Sequence, residues 1–237
     1  MMLVRFIALI SAVLVFCPAL TMAQTTTYPK VSFDYSSSFD ATCTELAKQP
    51  VEPEAVKEME ERIDSFREHW RKDAPQFFGT TLKLTGVPFE FRETRAALHL
   101  CRGFSSMSNP LLISVRYFIR AIEGKQAGSM PQFSGLIFHE TLHRYVSDWV
   151  KTMPDKTTPL LTKYREEPSA VRYHLHLFAI MNEVYRKLER QKDLESILAY
   201  EQTVSKFAPI LKRAREIVDK EGAESFIREF RKNRQGV

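Results

Sequence analysis

Apolar residues recur with a helical period over much of this chain. The first such stretch runs from Pro53 to Arg71, and its apolar positions are spaced by three and four residues: Val56, Met59, Ile63, Phe66 and Trp70. That spacing predicts an amphipathic helix with Pro53 near its start. A second helix is predicted to begin at Ser129, because Gln132 follows three residues later with a proline between them. It should extend to about Lys151 and end before Pro154.

The same period predicts further helices over residues 168–190, 193–220 and 223–232, with a break near Pro209. Between residues 77 and 122 the pattern differs. Short β-rich runs occupy residues 82–84, 87–91, 97–101 and 111–119. They predict a small antiparallel sheet of three or four strands. The predicted fold class is therefore α+β, a small antiparallel sheet followed by a helical half.

The first residues have the pattern of a secretory signal peptide. Arg5 supplies a positive charge, residues 6–16 are apolar, and small residues precede Gln24. The expected signal covers residues 1–23, with cleavage after Ala23 and delivery to a secreted or periplasmic location. Residues 24–52 are expected to form an extended lead-in, and residues 53–237 a single domain.

Charge and cysteine content narrow the classes of function. The net charge of +5 is modest, and basic residues alternate with acidic ones, so no nucleic-acid surface is indicated. Beyond the signal, no segment is long and apolar enough to predict membrane insertion. Cys43 and Cys101 remain after cleavage, and in an oxidising compartment they could pair or stay as two separate buried thiols.

Residues 139–143 read His-Glu-Thr-Leu-His, an HExxH motif within the helix predicted from Ser129. Two imidazoles four residues apart project from one helical face and can bind one divalent metal. Glu140, about a third of a turn from His139, could reach a water on that metal. Apolar residues flank the motif on both sides, which favours a buried helix over a surface coincidence.

With this motif on a helix that follows a small sheet, residues 82–190 resemble the zincin superfamily of metallopeptidases. The resemblance implies that His139 and His143 bind Zn²⁺ and that Glu140 is the general base. Zincins usually carry an uncharged residue after the second histidine, whereas this chain has Arg144.

A catalytic zinc needs a third protein ligand, and the next long helix offers three candidates. His174 shares an apolar stripe with Phe178, Met181 and Tyr185, so it is the first choice. Glu183 is the second, since residues 180–183 resemble the third-ligand helix of the gluzincins, but it shares its face with charged residues. His176 is the third. His69 and His99 are interpreted as structural. The tyrosines that could stabilise an oxyanion are interpreted first as packing residues, and Tyr185 is the foremost alternative among them because it shares the His174 stripe: Tyr145, Tyr164, Tyr173, Tyr185 and Tyr200.

The expected function is a zinc-dependent hydrolase of peptide or protein substrates, with residues 111–119 as the edge strand that holds the substrate. An alternative from another class is a secreted, non-catalytic binding or structural module with a structural metal or none. A helical module that binds membrane surfaces through its basic C-terminal helices is less favoured. The sequence leaves cleavage specificity and oligomeric state undetermined.

Overall fold

The computed structural model describes residues 28–102, 106–204 and 206–232. The expected signal peptide, residues 1–23, lies outside this part of the chain. The strands are β1 (Lys30–Tyr35), β2 (Glu93–His99), β3 (Met107–Ser108) and β4 (Leu111–Ser114). The helices are α1 (Ser37–Ala47), α2 (Pro53–Thr85), α3 (Arg120–Glu123), α4 (Met130–Lys151), α5 (Pro159–Lys163), α6 (Ser169–Lys187), α7 (Gln191–Val204), α8 (Ala208–Glu221) and α9 (Ala223–Lys232). The fold is mixed α+β, as predicted.

The sheet is largely parallel, so the antiparallel prediction is wrong. Its strand order is β1-β2-β4-β3, in which β1 pairs parallel to β2, β2 parallel to β4, and only β3 antiparallel to β4. The difference arises in residues 24–52, which were expected to be an extended lead-in but contain β1 and α1. Helices α1 and α2 carry the chain from β1 back to the start of β2, and such a crossover produces a parallel pair.

Two of the predicted strands do not form. Residues 82–84 belong to α2, whose buried face continues through Phe77, Phe78 and Leu84. The helix ends at Gly86, which has a left-handed φ of 71° and donates its N–H to the Leu82 carbonyl. Residues 87–91 then form a loop. The sequence predicts this helix only as far as Arg71, although the apolar period of α2 continues past Pro75.

The predicted edge strand over residues 111–119 is also wrong. Only Leu111–Ser114 form a strand, β4, and Arg116–Phe118 form a short 3-10 helix. Because β4 lies between β2 and β3, the free edge on that side of the sheet belongs to β3. Strand β3 contacts α4, so this edge lies next to the helix that carries the HExxH motif.

The helical half follows the sequence prediction closely. Helix α4 starts at Ser129 with the predicted capping box, in which Ser129 and Gln132 exchange hydrogen bonds. Helix α6 contacts α2, α4, α7, α8 and α9. Its residues 175–181 are all buried, as expected of a helix surrounded by others. Among the residues that the structure describes, no helix has both the length and the apolar character that a bilayer span requires.

Cys43 and Cys101 form a disulfide bond, with their Cα atoms 5.9 Å apart. It joins α1 to the end of β2, so it fixes the segment that was expected to be a loose lead-in. The bond closes a separation of 58 residues, for which the chain-entropy model gives a stabilisation of about 4 kcal/mol.

Candidate metal centre

Helix α4 brings the two motif histidines together. The Nε2 atoms of His139 and His143 lie 3.1 Å apart, as the four-residue spacing predicts. His139 is buried, with 5% of its surface exposed, and His143 is half-buried. Both rings line a cavity of about 1090 Å³ that runs along α4.

His174 on α6 is the third histidine at this place. Its ring centroid lies 5.2 Å from that of His139 and 4.5 Å from that of His143. One nitrogen from each of the three rings lies within 4.8 Å of the others. The Nδ1 atom of His174 donates a hydrogen bond to the Ala170 carbonyl at 2.6 Å. Because a carbonyl oxygen only accepts, Nδ1 carries the proton and Nε2 keeps its lone pair for a ligand.

The other two candidates for a third ligand are directed elsewhere. Glu183 forms an ion pair with Arg186 on the surface of α6, with 2.6 Å between Oε2 and Nη2. His176 donates from Nε2 to Glu229 at 2.7 Å and packs against the rings of Trp149, Phe226 and Phe230. Two residues further along a helix correspond to about 200° of rotation, so His174 and His176 face nearly opposite directions.

Burial lowers the pKa of all three clustered histidines. The pKa of His143 falls to about 3, mainly through burial and then through the nearby His174. The pKa of His139 lies well below its usual value, and that of His174 is also lowered. The rings are therefore neutral at physiological pH, the state in which imidazole binds a metal.

The donor set fits a metal ion. Three neutral imidazoles converge from two helices beside the cavity, and such a set of nitrogen donors could hold a metal ion. Zinc–nitrogen bonds of about 2.0–2.1 Å place tetrahedral donors somewhat more than 3 Å apart. The 3.1 Å between the Nε2 atoms of His139 and His143 is close to that spacing. This cluster could hold a metal.

Glu140 lines the same cavity and is 8% exposed. Its Oε2 atom accepts a hydrogen bond from the Ser108 hydroxyl at 2.7 Å. Burial raises the pKa of Glu140 to about 7, while the bond from Ser108 opposes this effect. Ser108 lies on β3, so the edge strand orients the carboxylate. The sequence did not indicate Ser108, because it belongs to a two-residue strand with no periodic signal.

A second layer of charged groups lies behind His139. The Oε1 atom of Glu201, on α7, is 3.6 Å from His139 Nδ1, and its Oε2 atom is 3.8 Å from Arg215 Nη1 on α8. Burial is the main cause that raises the pKa of Glu201 to about 7, although the Arg215 charge lowers it. Sequence analysis missed both residues, since each lies on an amphipathic helix whose charged positions suggested solvent exposure.

The remaining candidates do not join the cluster. Tyr185 is buried against Phe77 and Phe138 and is not part of the cavity wall, which agrees with its interpretation as a packing residue and not with the alternative of an oxyanion donor. The Arg144 guanidinium stacks on Phe91 at 4.1 Å and lies at the cavity wall. His69 pairs with Asp73 on α2, and His99 is buried against Phe39, so neither belongs to the metal cluster.

Comparison with known proteins does not place this chain in a family. No family model, curated protein or solved structure matches it.

Proposed function

We propose that the protein is a zinc-dependent hydrolase that cleaves peptide bonds, with a zincin-like site. The observation that carries this proposal is the convergence of His139, His143 and His174 in a cavity that Glu140 also lines. Three neutral nitrogen donors match the preference of zinc, and the cavity leaves room for a substrate beside them. Zinc bound there would supply a Lewis acid that polarises a carbonyl and acidifies a water.

Glu140 is the proposed general base. Its carboxylate is one residue from His139 and opens onto the same cavity, so it can reach a water held beside the three rings. The hydrogen bond from Ser108 occupies Oε2, which fixes the side chain and leaves Oε1 to accept a proton. The carboxyl group then returns that proton to the leaving amine of the substrate.

The cavity favours an extended polypeptide as the substrate. Met107, Tyr173 and Phe207 are among the large apolar side chains that stay exposed, and all three line the cavity. Exposed apolar groups around a cavity are typical of a binding surface. Met107 belongs to β3, which is an edge strand of the sheet, so β3 replaces residues 111–119 as the strand proposed to pair with a substrate backbone.

Export from the cytosol is part of the proposal. The pattern of residues 1–23 is that of a cleavable signal, and the Cys43–Cys101 disulfide is of a kind that persists in oxidising compartments. The two features support a secreted or periplasmic protein.

The test combines metal analysis with one matched pair of variants. The purified protein is assayed for bound zinc and for cleavage of a broad peptide library, alongside Glu140→Gln and the control Glu195→Gln. Glu195 is an exposed carboxylate on α7. Loss of a general base should slow cleavage by about 100-fold to 10,000-fold in Glu140→Gln while zinc stays bound. The control should match the wild type.

Two outcomes contradict the proposal. Zinc bound in all three proteins with no cleavage by any of them would favour a non-catalytic module with a structural metal. A protein that binds no zinc at equimolar or tenfold excess would remove the basis for the hydrolase.

A further inference from the structure

We propose that Glu201 is a positioning residue for the metal centre, which holds the His139 ring in the tautomer and orientation that metal binding requires. The inference rests on the proposed function because it takes the three histidines to bind zinc. The contact between Glu201 and His139 lies within the protein, so it can be measured without metal.

The position of Glu201 relative to the ring is specific. The Oε1 atom lies 3.6 Å from Nδ1 of His139, whereas the Nε2 atom of the same ring faces His143. Among the described residues, no hydrogen-bond partner satisfies Nδ1. At 3.6 Å the Oε1 atom of Glu201 is just beyond hydrogen-bond distance, and a shift of a few tenths of an ångström would close a hydrogen bond.

This contact selects one tautomer. An ionised carboxylate only accepts hydrogen bonds, so with Glu201 ionised beside Arg215 the His139 proton is placed on Nδ1 and the lone pair on Nε2. The same logic applies to His174, whose Nδ1 donates to the Ala170 carbonyl. Two of the three rings are thus held from behind by an oxygen atom, which both orients a ring and increases its basicity as a ligand.

Glu201 acts from behind the ring and is not itself a fourth ligand. Its oxygen approaches the Nδ1 side, while the cluster of ligand atoms comprises His139, His143 and His174 without it. A metal held by the Nε2 atoms would lie across the ring from this carboxylate.

The packing of α7 on α4 explains how the carboxylate reaches this place. Gly135 lies one turn before His139, and a Cβ atom there would be only 2.8 Å from Ile197 Cγ1, one turn before Glu201. About one turn before Gly135 on α4, the Gln132 amide donates to the hydroxyl of Ser196, the residue before Ile197 on α7, at 3.0 Å. The absent side chain at Gly135 therefore lets the two helices approach until Glu201 meets His139.

Arg215 supports the negative charge of Glu201. Its Nη1 atom lies 3.8 Å from Oε2, and both side chains are largely buried. Its guanidinium also lies over the Phe178 ring at 5.7 Å, and Phe178 stacks on His174. A buried carboxylate without such a partner would be costly to keep ionised. The row Arg215, Glu201 and His139 thus runs from α8 through α7 to the metal cluster on α4.

The first measurement is zinc affinity, determined by competition with a chromophoric chelator for Glu201→Ala, Glu201→Gln and Glu195→Gln. Loss of a carboxylate behind a ligating histidine should weaken zinc binding about 10-fold to 100-fold in Glu201→Ala. Glu201→Gln should lie between this variant and the wild type, because its amide oxygen still accepts a hydrogen bond. Glu195→Gln should bind as the wild type does.

The second measurement is ¹⁵N–¹H correlation spectroscopy of the histidine rings in the metal-free protein. The His139 ring should carry its proton on Nδ1 in the wild type and populate both tautomers in Glu201→Ala. A residue with a merely structural role would change stability without moving this signal. If Glu201→Ala fails to fold, Glu201→Leu, which also removes the acceptor but keeps much of the side-chain volume, gives the same readout.

Two results would overturn the inference: an Nε2-protonated His139 in the wild type, or zinc affinity in a folded Glu201→Ala within a factor of two of the wild type. A wild-type protein that binds no zinc would instead remove the proposed function. In that case the tautomer of His139 still decides whether Glu201 orients the ring.

Discussion

Two buried pairs of a histidine and a glutamate, His176–Glu229 and His139–Glu201, differ in how completely the carboxylate is hydrogen-bonded. In both pairs the Nδ1 atom of the histidine has no hydrogen-bond partner among the described residues. In the first, His176 donates to Glu229 at 2.7 Å, and the other Glu229 oxygen accepts the Leu160 N–H at 2.8 Å. In the second, His139 and Glu201 are 3.6 Å apart, and Glu201 Oε2 has no hydrogen bond among the described residues.

Their surroundings differ as well. The His176 ring is 1% exposed and packed among aromatic rings, and although His176 lies at the cavity wall, its partner Glu229 does not. His139 and Glu201 both line the cavity. Burial would raise the pKa of Glu229, but hydrogen bonds from His176, Thr158 and the Leu160 N–H hold that pKa below its usual value. The pKa of Glu201, in contrast, rises to about 7. A carboxylate with both oxygens hydrogen-bonded stabilises the fold, whereas a carboxylate with an unsatisfied oxygen at the cavity wall keeps hydrogen-bonding capacity.

The largest difference in zinc affinity is expected between alanine variants at two positions of α6, His174 and His176. His174→Ala removes one of three proposed ligands, and it should weaken zinc binding by roughly 100-fold or more, given about 3 kcal/mol per ligand. His176→Ala should leave zinc affinity within a few-fold while it lowers stability. Chelator competition and urea unfolding measure the two quantities. Equal effects of the two variants on zinc binding would contradict the assignment of His174.

Glu229→Ala tests the structural pair directly. It leaves His176 Nε2 and the Leu160 N–H buried without an acceptor, and the free energy of unfolding should fall by about 2–4 kcal/mol. Zinc affinity, corrected for any unfolded fraction, should stay near the wild-type value. A stable Glu229→Ala protein with zinc binding weakened more than tenfold would reverse the roles given to the two pairs.

Gly135→Ala tests whether the close packing of α4 on α7 maintains the contact between His139 and Glu201. The added methyl meets Ile197, so α7 or the Ile197 side chain must move, at a cost of about 1–3 kcal/mol. Zinc affinity should fall along with stability, because Glu201 lies one turn further along α7. Gly79→Ala is the control, since nothing lies within 4 Å of a Cβ atom there. Unchanged zinc affinity in a destabilised Gly135→Ala protein would show that the contact does not depend on this packing.

His99 extends the comparison to a buried histidine without any hydrogen-bond partner among the described residues. Burial lowers its pKa to about 4. As the pH falls below about 6.5, the unfolded chain takes up this proton before the folded protein does, so stability declines between pH 6.5 and 4. From pH 7 to 5 the loss at this residue is about 1–2 kcal/mol. His99→Gln should reduce that dependence in urea unfolding, and an unchanged pH profile would contradict the buried, neutral ring.

The periodicity of apolar residues was sufficient to predict features that lie within a single helix. The 3.6-residue repeat and the Ser129 signal predicted α4 and placed His139 and His143 on one face, because both facts are local. The stripe shared with Phe178 singled out His174 over Glu183 for the same reason. The sheet was predicted less well, because β1 pairs with a strand about 60 residues away and its own segment has no repeating pattern.

The sequence by itself determined the helices, the motif and the apolar faces that must be buried, because these depend on spacings of three and four residues. Only the tertiary structure decided which residues meet between different strands and helices: the Ser108 hydroxyl at Glu140, the Glu201 carboxylate behind His139, and the Arg215 charge behind Glu201. Such contacts depend on how closely two helices pack. At α4 and α7 that distance is set by a single glycine facing an isoleucine, a pairing that no local pattern reveals.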